Sequence, residues 1–140
     1  MTQRQLTNPL HPFAGLIDTF FADTLPEAFP GAAAPATDIA ETETAFHIGI
    51  ELPGIKEADV QVEVHERNLK ITAERQDTSK QEGLRWHRRE QRFGKRARTI
   101  VLPDTANTAT IEAKLEQGLL SITVQKHEKA QPVRVQIKAN

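Results

Sequence analysis

Ala113-Lys114-Leu115-Glu116-Gln117-Gly118-Leu119-Leu120-Ser121-Ile122-Thr123-Val124 carries apolar residues at every second position on either side of a glycine-centred turn. Ile111, Ala113 and Leu115 lead in, and Leu120, Ile122 and Val124 lead out. Alternation of period two, broken at Glu116-Gln117-Gly118, predicts two β-strands joined by a tight connection, each burying one face.

The same pattern recurs upstream. Phe46, Ile48, Ile50 and Leu52 alternate up to Pro53-Gly54. Val60, Val62 and Val64 follow, with a turn signal at Arg67-Asn68, then Leu69, Ile71 and Ala73. Arg98, Ile100 and Leu102 end at Pro103. Several short alternating strands separated by turn signals predict an all-β fold, an immunoglobulin-like antiparallel β-sandwich. No internal repeat is present, and Lys56-Glu57-Ala58-Asp59 is at most one helical turn.

Composition divides the chain into three parts: residues 1–37, 38–127 and 128–140. Five of the eight prolines and four of the six phenylalanines precede position 37. Between Pro12 and Pro26, Phe13, Leu16, Ile17, Phe20 and Phe21 recur at three- and four-residue spacing, which sets them on one face of a short helix. Gly31-Ala-Ala-Ala-Pro35 then reads as a linker. A helix this short is marginal alone and needs a surface to bury its face on. That surface is either its own domain or another chain.

Residues 75–98 hold nine of the eighteen basic side chains and only three acids, Asp77, Glu82 and Glu90. The chain as a whole has a formal charge of −1. Trp86, the only tryptophan, lies beside His87-Arg88-Arg89. Three readings fit: a solvated loop with an edge strand whose cations discourage unwanted pairing; a loop that docks on a neighbouring subunit with Trp86 as anchor; and a nucleic-acid patch using Arg85, Arg88, Arg89 and Arg92. Glu90 and the acidic remainder work against the last.

Catalytic chemistry finds little support. The absence of cysteine excludes disulfides and thiolate catalysis. The five histidines are scattered, with no pair at metal-ligand spacing. Ser79 and Ser121 lack a nucleophile-elbow context, and Gly94-Lys95 lacks a phosphate-cradling glycine loop. Glu112 and Glu116 fall on the polar face of a strand. No catalytic residue, metal site or cofactor is expected. No apolar run approaches the ~20 residues of a membrane span and no signal peptide opens the chain, so a soluble cytoplasmic protein is expected.

Over residues 35 to 137 the chain resembles the α-crystallin domain of small heat-shock proteins of bacterial type. The resemblance rests on Ala113-x-Leu115-x-x-Gly118-Leu119-Leu120 with its alternating strand and on Pro35-Ala-Thr-Asp38-Ile39-x-Glu41-Thr. It also rests on Glu51-Leu52-Pro53-Gly54 followed by Asp59-Val60-x-Val62-x-Val64, and on Asn68-Leu69-x-Ile71-x-Ala73. Glu90-x-x-Phe93-Gly94-x-x-x-Arg98-x-x-x-Leu102-Pro103 is similar to the stretch carrying the family's interface arginine, which falls on Arg98. The chain departs from the family at Arg96 and Ile100, where aromatics are common, and at Gln125, where proline is usual.

The resemblance implies an ATP-independent holding chaperone without enzymatic activity. Such a protein is a homo-oligomer built from dimers; its partners are unfolding client proteins and, downstream, ATP-dependent chaperones. It implies a client-binding arm at Phe13, Leu16, Ile17, Phe20 and Phe21, and a dimer interface at Trp86, Arg88, Glu90 and Arg98, formed by exchange of the 75–98 loop. In the tail, Val135-x-Ile137 matches the family's docking pair, with Val133-x-Val135 as a competing register. Pro132 stiffens the approach. The pair would add to a sheet edge in a groove of Val60, Val62, Val64, Ile111, Ala113 and Leu115. Two alternatives remain: an ordinary final strand for the tail, and a monomeric co-chaperone or scaffold domain on the same sandwich.

Overall fold

The computed structural model describes residues 32–128 and 134–139. Seven strands form two antiparallel sheets: β1 (Thr37–Glu41), β2 (Ala45–Glu51), β3 (Val60–His65), β4 (Asn68–Arg75), β5 (Gly94–Val101), β6 (Ala106–Glu116) and β7 (Leu119–Lys126). One sheet runs β1-β2-β7-β6 and the other β3-β4-β5. A 3₁₀ turn, Glu57–Asp59, precedes β3. The β-sandwich expected from the alternating pattern is what forms.

The opening stretch becomes the β6–β7 hairpin. Its two connecting residues, Gln117 and Gly118, have φ of 50° and 79°, the pair of positive values that matches a two-residue turn to the twist of its strands. Gly118 also lies against the end of β2, where a Cβ would sit 3.4 Å from Pro53 Cα. Its carbonyl also accepts from Leu52 N–H at 2.7 Å. The hairpin turn is thereby fixed to the end of β2.

The register explains the core. Phe46, Ile48 and Ile50 of β2 stand opposite Val124, Ile122 and Leu120 of β7, so their side chains share one face. Leu69 of β4 faces Ile100 of β5 in the same way. These residues, with Ile71, Leu52 and Leu102, are buried between the sheets. The central strands β2, β7 and β4 bury one face fully, whereas the edge strands β3 and β6 do so only in part.

Two details differ from the sequence reading. The turn after β3 is Glu66-Arg67, one residue earlier than expected, because Asn68 already pairs with His65 and Val101; Glu66 takes the left-handed φ of 57°. The linker before β1 is also more than a spacer. Ala33 N–H donates to Lys95 O, and Ala97 N–H donates to Ala33 O, both at 3.2 Å. Pro35 is buried, and Glu51 N–H reaches Ala36 O at 3.0 Å. Residues 33–36 strap the outer edge of β5 to the sheet containing β1.

Candidate functional site

The strap defines two unlike flanks. At one, Ala33 bonds to Lys95 and Ala97 of β5, and Ala36 O accepts from Glu51 of β2 just before β1 begins. The opposite edges, β3 and β6, pair only with β4 and β7 among the described residues. No described residue pairs with their outer rows of peptide groups, the kind of edge to which a strand can add.

All six groove residues expected from the sequence lie on this open flank, facing inward. Val60, Val62 and Val64 stand opposite Ala73, Ile71 and Leu69. Ile111, Ala113 and Leu115 stand opposite Val124, Ile122 and Leu120. Every one of those partners is buried, yet the edge residues are not. Val60, Val62, Ile111 and Leu115 are half-buried against the core, Val64 is 40% exposed, and Ala113 is exposed. Inner-face apolar groups thus meet water along both walls of the opening. In the tail, Val135 and Ile137 are 79% and 93% exposed. The groove residues lie on the inner faces of two edge strands of different sheets, and the tail pair stands exposed.

The basic stretch is a loop, residues 76–93, without strand structure until Gly94. It folds over the Pro53–Asp59 turn and leaves a hollow lined by Gly54, Lys56, Asp59, Trp86, Arg88 and Phe93. Two arginines hold it. Arg75 donates from Nη1 to Arg92 O at 3.3 Å and from Nη2 to Gln91 Oε1 at 3.2 Å. Its guanidinium lies 4.9 Å from the Phe93 ring centroid. Gly54, at φ 72°, admits this close approach, since a Cβ there would sit 2.7 Å from Arg75 Nε. Arg89 lies 4.5 Å from the Trp86 ring and bonds Asp77 Oδ2 at 2.9 Å and Ser79 Oγ at 3.1 Å. The Ser79 hydroxyl also donates to Asp77. The hydroxyl first, then the Arg89 guanidinium, lowers the Asp77 carboxyl to about 2.

Of the four interface residues expected from the sequence, three lie on this loop. Trp86 is 48% exposed, and Arg88 and Glu90 form an exposed pair at 3.3 Å. Arg98 lies apart from them on β5, opposite Ile71 and therefore on the inner face. Its Nε is buried and has no hydrogen-bond partner, the only such side-chain atom among the described residues. An unsatisfied buried donor of a charged group is costly. Phe13, Leu16, Ile17, Phe20 and Phe21 lie outside the described residues, as does Val133. The sequence reading missed the strap and the Arg75 and Arg89 clasps. Their groups are 10 to 17 residues from their hydrogen-bond partners in the loop, a separation that no local spacing reports.

The Hsp20/alpha crystallin family matches residues 38–138. Small heat shock protein C2 of Rickettsia felis is 33% identical over 104 residues, covering 74% of this chain and 68% of that protein. Heat shock protein 16.0 from Schizosaccharomyces pombe superposes with a TM-score of 0.69 at 33% identity, over 93% of this chain and 97% of that one. A small heat-shock protein from Xylella fastidiosa, whose crystal structure reveals a distinct high order structure, gives a TM-score of 0.67 at 34% identity. That match covers 76% of this chain and 97% of the Xylella chain.

Proposed function

This chain belongs to the Hsp20/alpha crystallin family, and from that premise we propose that it is an ATP-independent holdase that binds unfolding proteins and assembles through its tail. The observation that carries the reading is the open flank, where inner-face positions Val64 and Ala113 meet water while their cross-strand partners are buried. Such a surface gains by covering apolar area, at roughly 25 cal/mol per Å², and that drive requires neither nucleotide nor a reaction.

In this reading the groove receives Val135 and Ile137 from another copy by strand addition. The Phe-rich arm, Phe13 to Phe21, is the main client surface. The 76–93 loop exchanges between two subunits to make the dimer, with Trp86 as its apolar anchor, and a partner acceptor satisfies Arg98 Nε. Assemblies are stores in which sticky surfaces cover one another; heat or dilution shifts the population towards smaller, exposed species. The working compartment is the cytoplasm, and held clients pass to ATP-dependent chaperones. The nucleic-acid reading loses ground, because Arg89 is already engaged with the Trp86 and Phe93 rings.

Light scattering of a heat-labile client, with and without the chain and in the absence of ATP, tests the activity. Scattering is expected to fall as the chain approaches stoichiometry. Equal aggregation in both samples sinks the assignment. A sharp 16 kDa monomer by size-exclusion chromatography would instead favour a scaffold domain.

A further inference from the structure

The open edge of β6 has a charge pattern as well as an apolar one. Residues 111, 113 and 115 face the core, so Glu112, Lys114 and Glu116 occupy the outer face, where all three are exposed. Along that edge the order is acid, base, acid. In the tail, Val135 and Ile137 alternate with Arg134, Gln136 and Lys138, all exposed. There the order is base, neutral, base, at the same spacing. Lys114 Nζ lies 2.8 Å from Glu116, but both side chains are largely exposed, so this pair is weak and exchangeable.

A strand added to β6 with Val135 and Ile137 turned inward aligns its outer residues with those of β6, because faces alternate strictly along paired strands. With Gln136 opposite Lys114, the two tail cations fall opposite the two acids. An antiparallel tail pairs Arg134 with Glu116 and Lys138 with Glu112; a parallel one exchanges these partners. A slip of two residues in either sense sets Arg134 or Lys138 directly against Lys114. Like charges facing each other across a ladder are destabilising, and opposite charges stabilising.

Resting on the docking reading above, we propose that Glu112 and Glu116 form a charge register for Arg134 and Lys138 of a docked tail, selecting Val135 and Ile137 over Val133 and Val135 as the inserted pair. The apolar groove supplies the drive and the outer charges choose the position.

Gln136 gives a sign test that does not depend on strand direction. In the proposed register it faces Lys114; in either slipped register it faces an acid. On the full chain, Gln136→Glu is expected to tighten assembly and Gln136→Lys to weaken it, each by roughly threefold. The readout is the dissociation midpoint from analytical ultracentrifugation on dilution. The opposite signs would overturn the proposal. Arg134→Glu with Lys138→Glu, which cannot unfold the domain, should weaken assembly about tenfold. Adding Glu112→Lys and Glu116→Lys to that chain should restore it. If Val135→Gly with Ile137→Gly dissolves the assembly while all charge variants behave like the parent, the register falls and docking stands. If the glycine pair leaves the assembly intact, docking itself falls.

Discussion

The two flanks of this sandwich are built from equivalent parts and finished differently. At the β1/β5 flank the chain covers part of the β5 edge itself, because Ala33 bonds to Lys95 and Ala97 while Ala36 bonds to Glu51 of β2. At the β3/β6 flank no described residue supplies such cover, and Val64 and Ala113 are exposed beside the half-buried Val60, Val62, Ile111 and Leu115. An unprotected edge is an aggregation hazard, and the proposed tail docking would remove it. The flanks differ in what should happen when each is disturbed. Loss of the strap should be felt by the domain, and loss of the tail only by the assembly.

The largest effect is expected where both flanks share support. Ile122 is buried on β7, opposite both Ile48 and Ala113. Ile122→Ala should cost about 2–5 kcal/mol of domain stability in urea unfolding. It should expose both edges together, read as faster amide exchange on β5 and β6 alike. Exchange confined to β6 would mean that the flanks are not mechanically joined through the core.

Next comes the tail. Val135→Gly with Ile137→Gly should reduce the assembly to dimers by light scattering, with the urea midpoint of the domain unchanged. Both side chains are almost fully exposed and contribute nothing to the domain's own packing. Unfolding of the double variant would show the tail to be part of the core and would erase the contrast. Ala113→Phe approaches the same surface from the other side, by filling the dip between Ile111 and Leu115. It should block assembly without unfolding the domain.

The strap should show a smaller effect. Ala33→Pro removes the N–H that donates to Lys95 O. A single hydrogen bond is worth about 0.5–1.5 kcal/mol net, and the melting temperature should fall accordingly. The Ala97 amide, which donates to Ala33 O, should exchange faster while β6 amides do not change. Equal acceleration on both flanks would show that the strap stabilises the whole sandwich rather than one edge.

This asymmetry was only half legible in the sequence. Half-buried strands announce themselves by alternation, so β2, β3, β4 and the β6–β7 hairpin were readable, as was the inward set Ile111, Ala113 and Leu115. Alternation states which face a residue takes; it does not state which edges are covered. The strap is made of main-chain bonds from alanines, whose side chains give no pattern, and Gly31-Ala-Ala-Ala-Pro35 therefore looked like a linker. The turn at Glu66-Arg67 was misplaced by one residue for a similar reason. Glutamate at positive φ carries no composition signal, whereas the neighbouring Asn68 does. Docking at the groove is an expectation of the family resemblance alone, and the structure adds to it that Ala113 is exposed. The loop clasps were not legible, since hydrogen bonds between Arg75 or Arg89 and residues 10 to 17 positions away exist only once the chain has turned back.

The smallest expected effect belongs to that loop, which leaves β4 and returns into β5 beside the strap and, like it, is held by the chain's own groups. The Asp77 carboxyl, ordinarily titrating at 3.8, is lowered to about 2 by the Ser79 hydroxyl and then Arg89. A depressed carboxyl stabilises the folded loop above its ordinary value and loses that contribution as pH falls from about 4 towards 2. The site is exposed, so the effect should be local rather than global. Trp86 is the only tryptophan, and Arg89 covers its ring, so its fluorescence reports the clasp. Between pH 6 and pH 4 emission should stay constant, and it should change below pH 4 as Asp77 takes its proton and Arg89 is released. Ser79→Ala removes the larger cause and should move the midpoint upward. Asp77→Asn should give at pH 6 the emission that the parent shows only in acid. A parent midpoint near 3.8 with no response to Ser79→Ala would mean that the loop is not closed by these groups. Constant emission in Asp77→Asn at pH 6 would lead to the same conclusion.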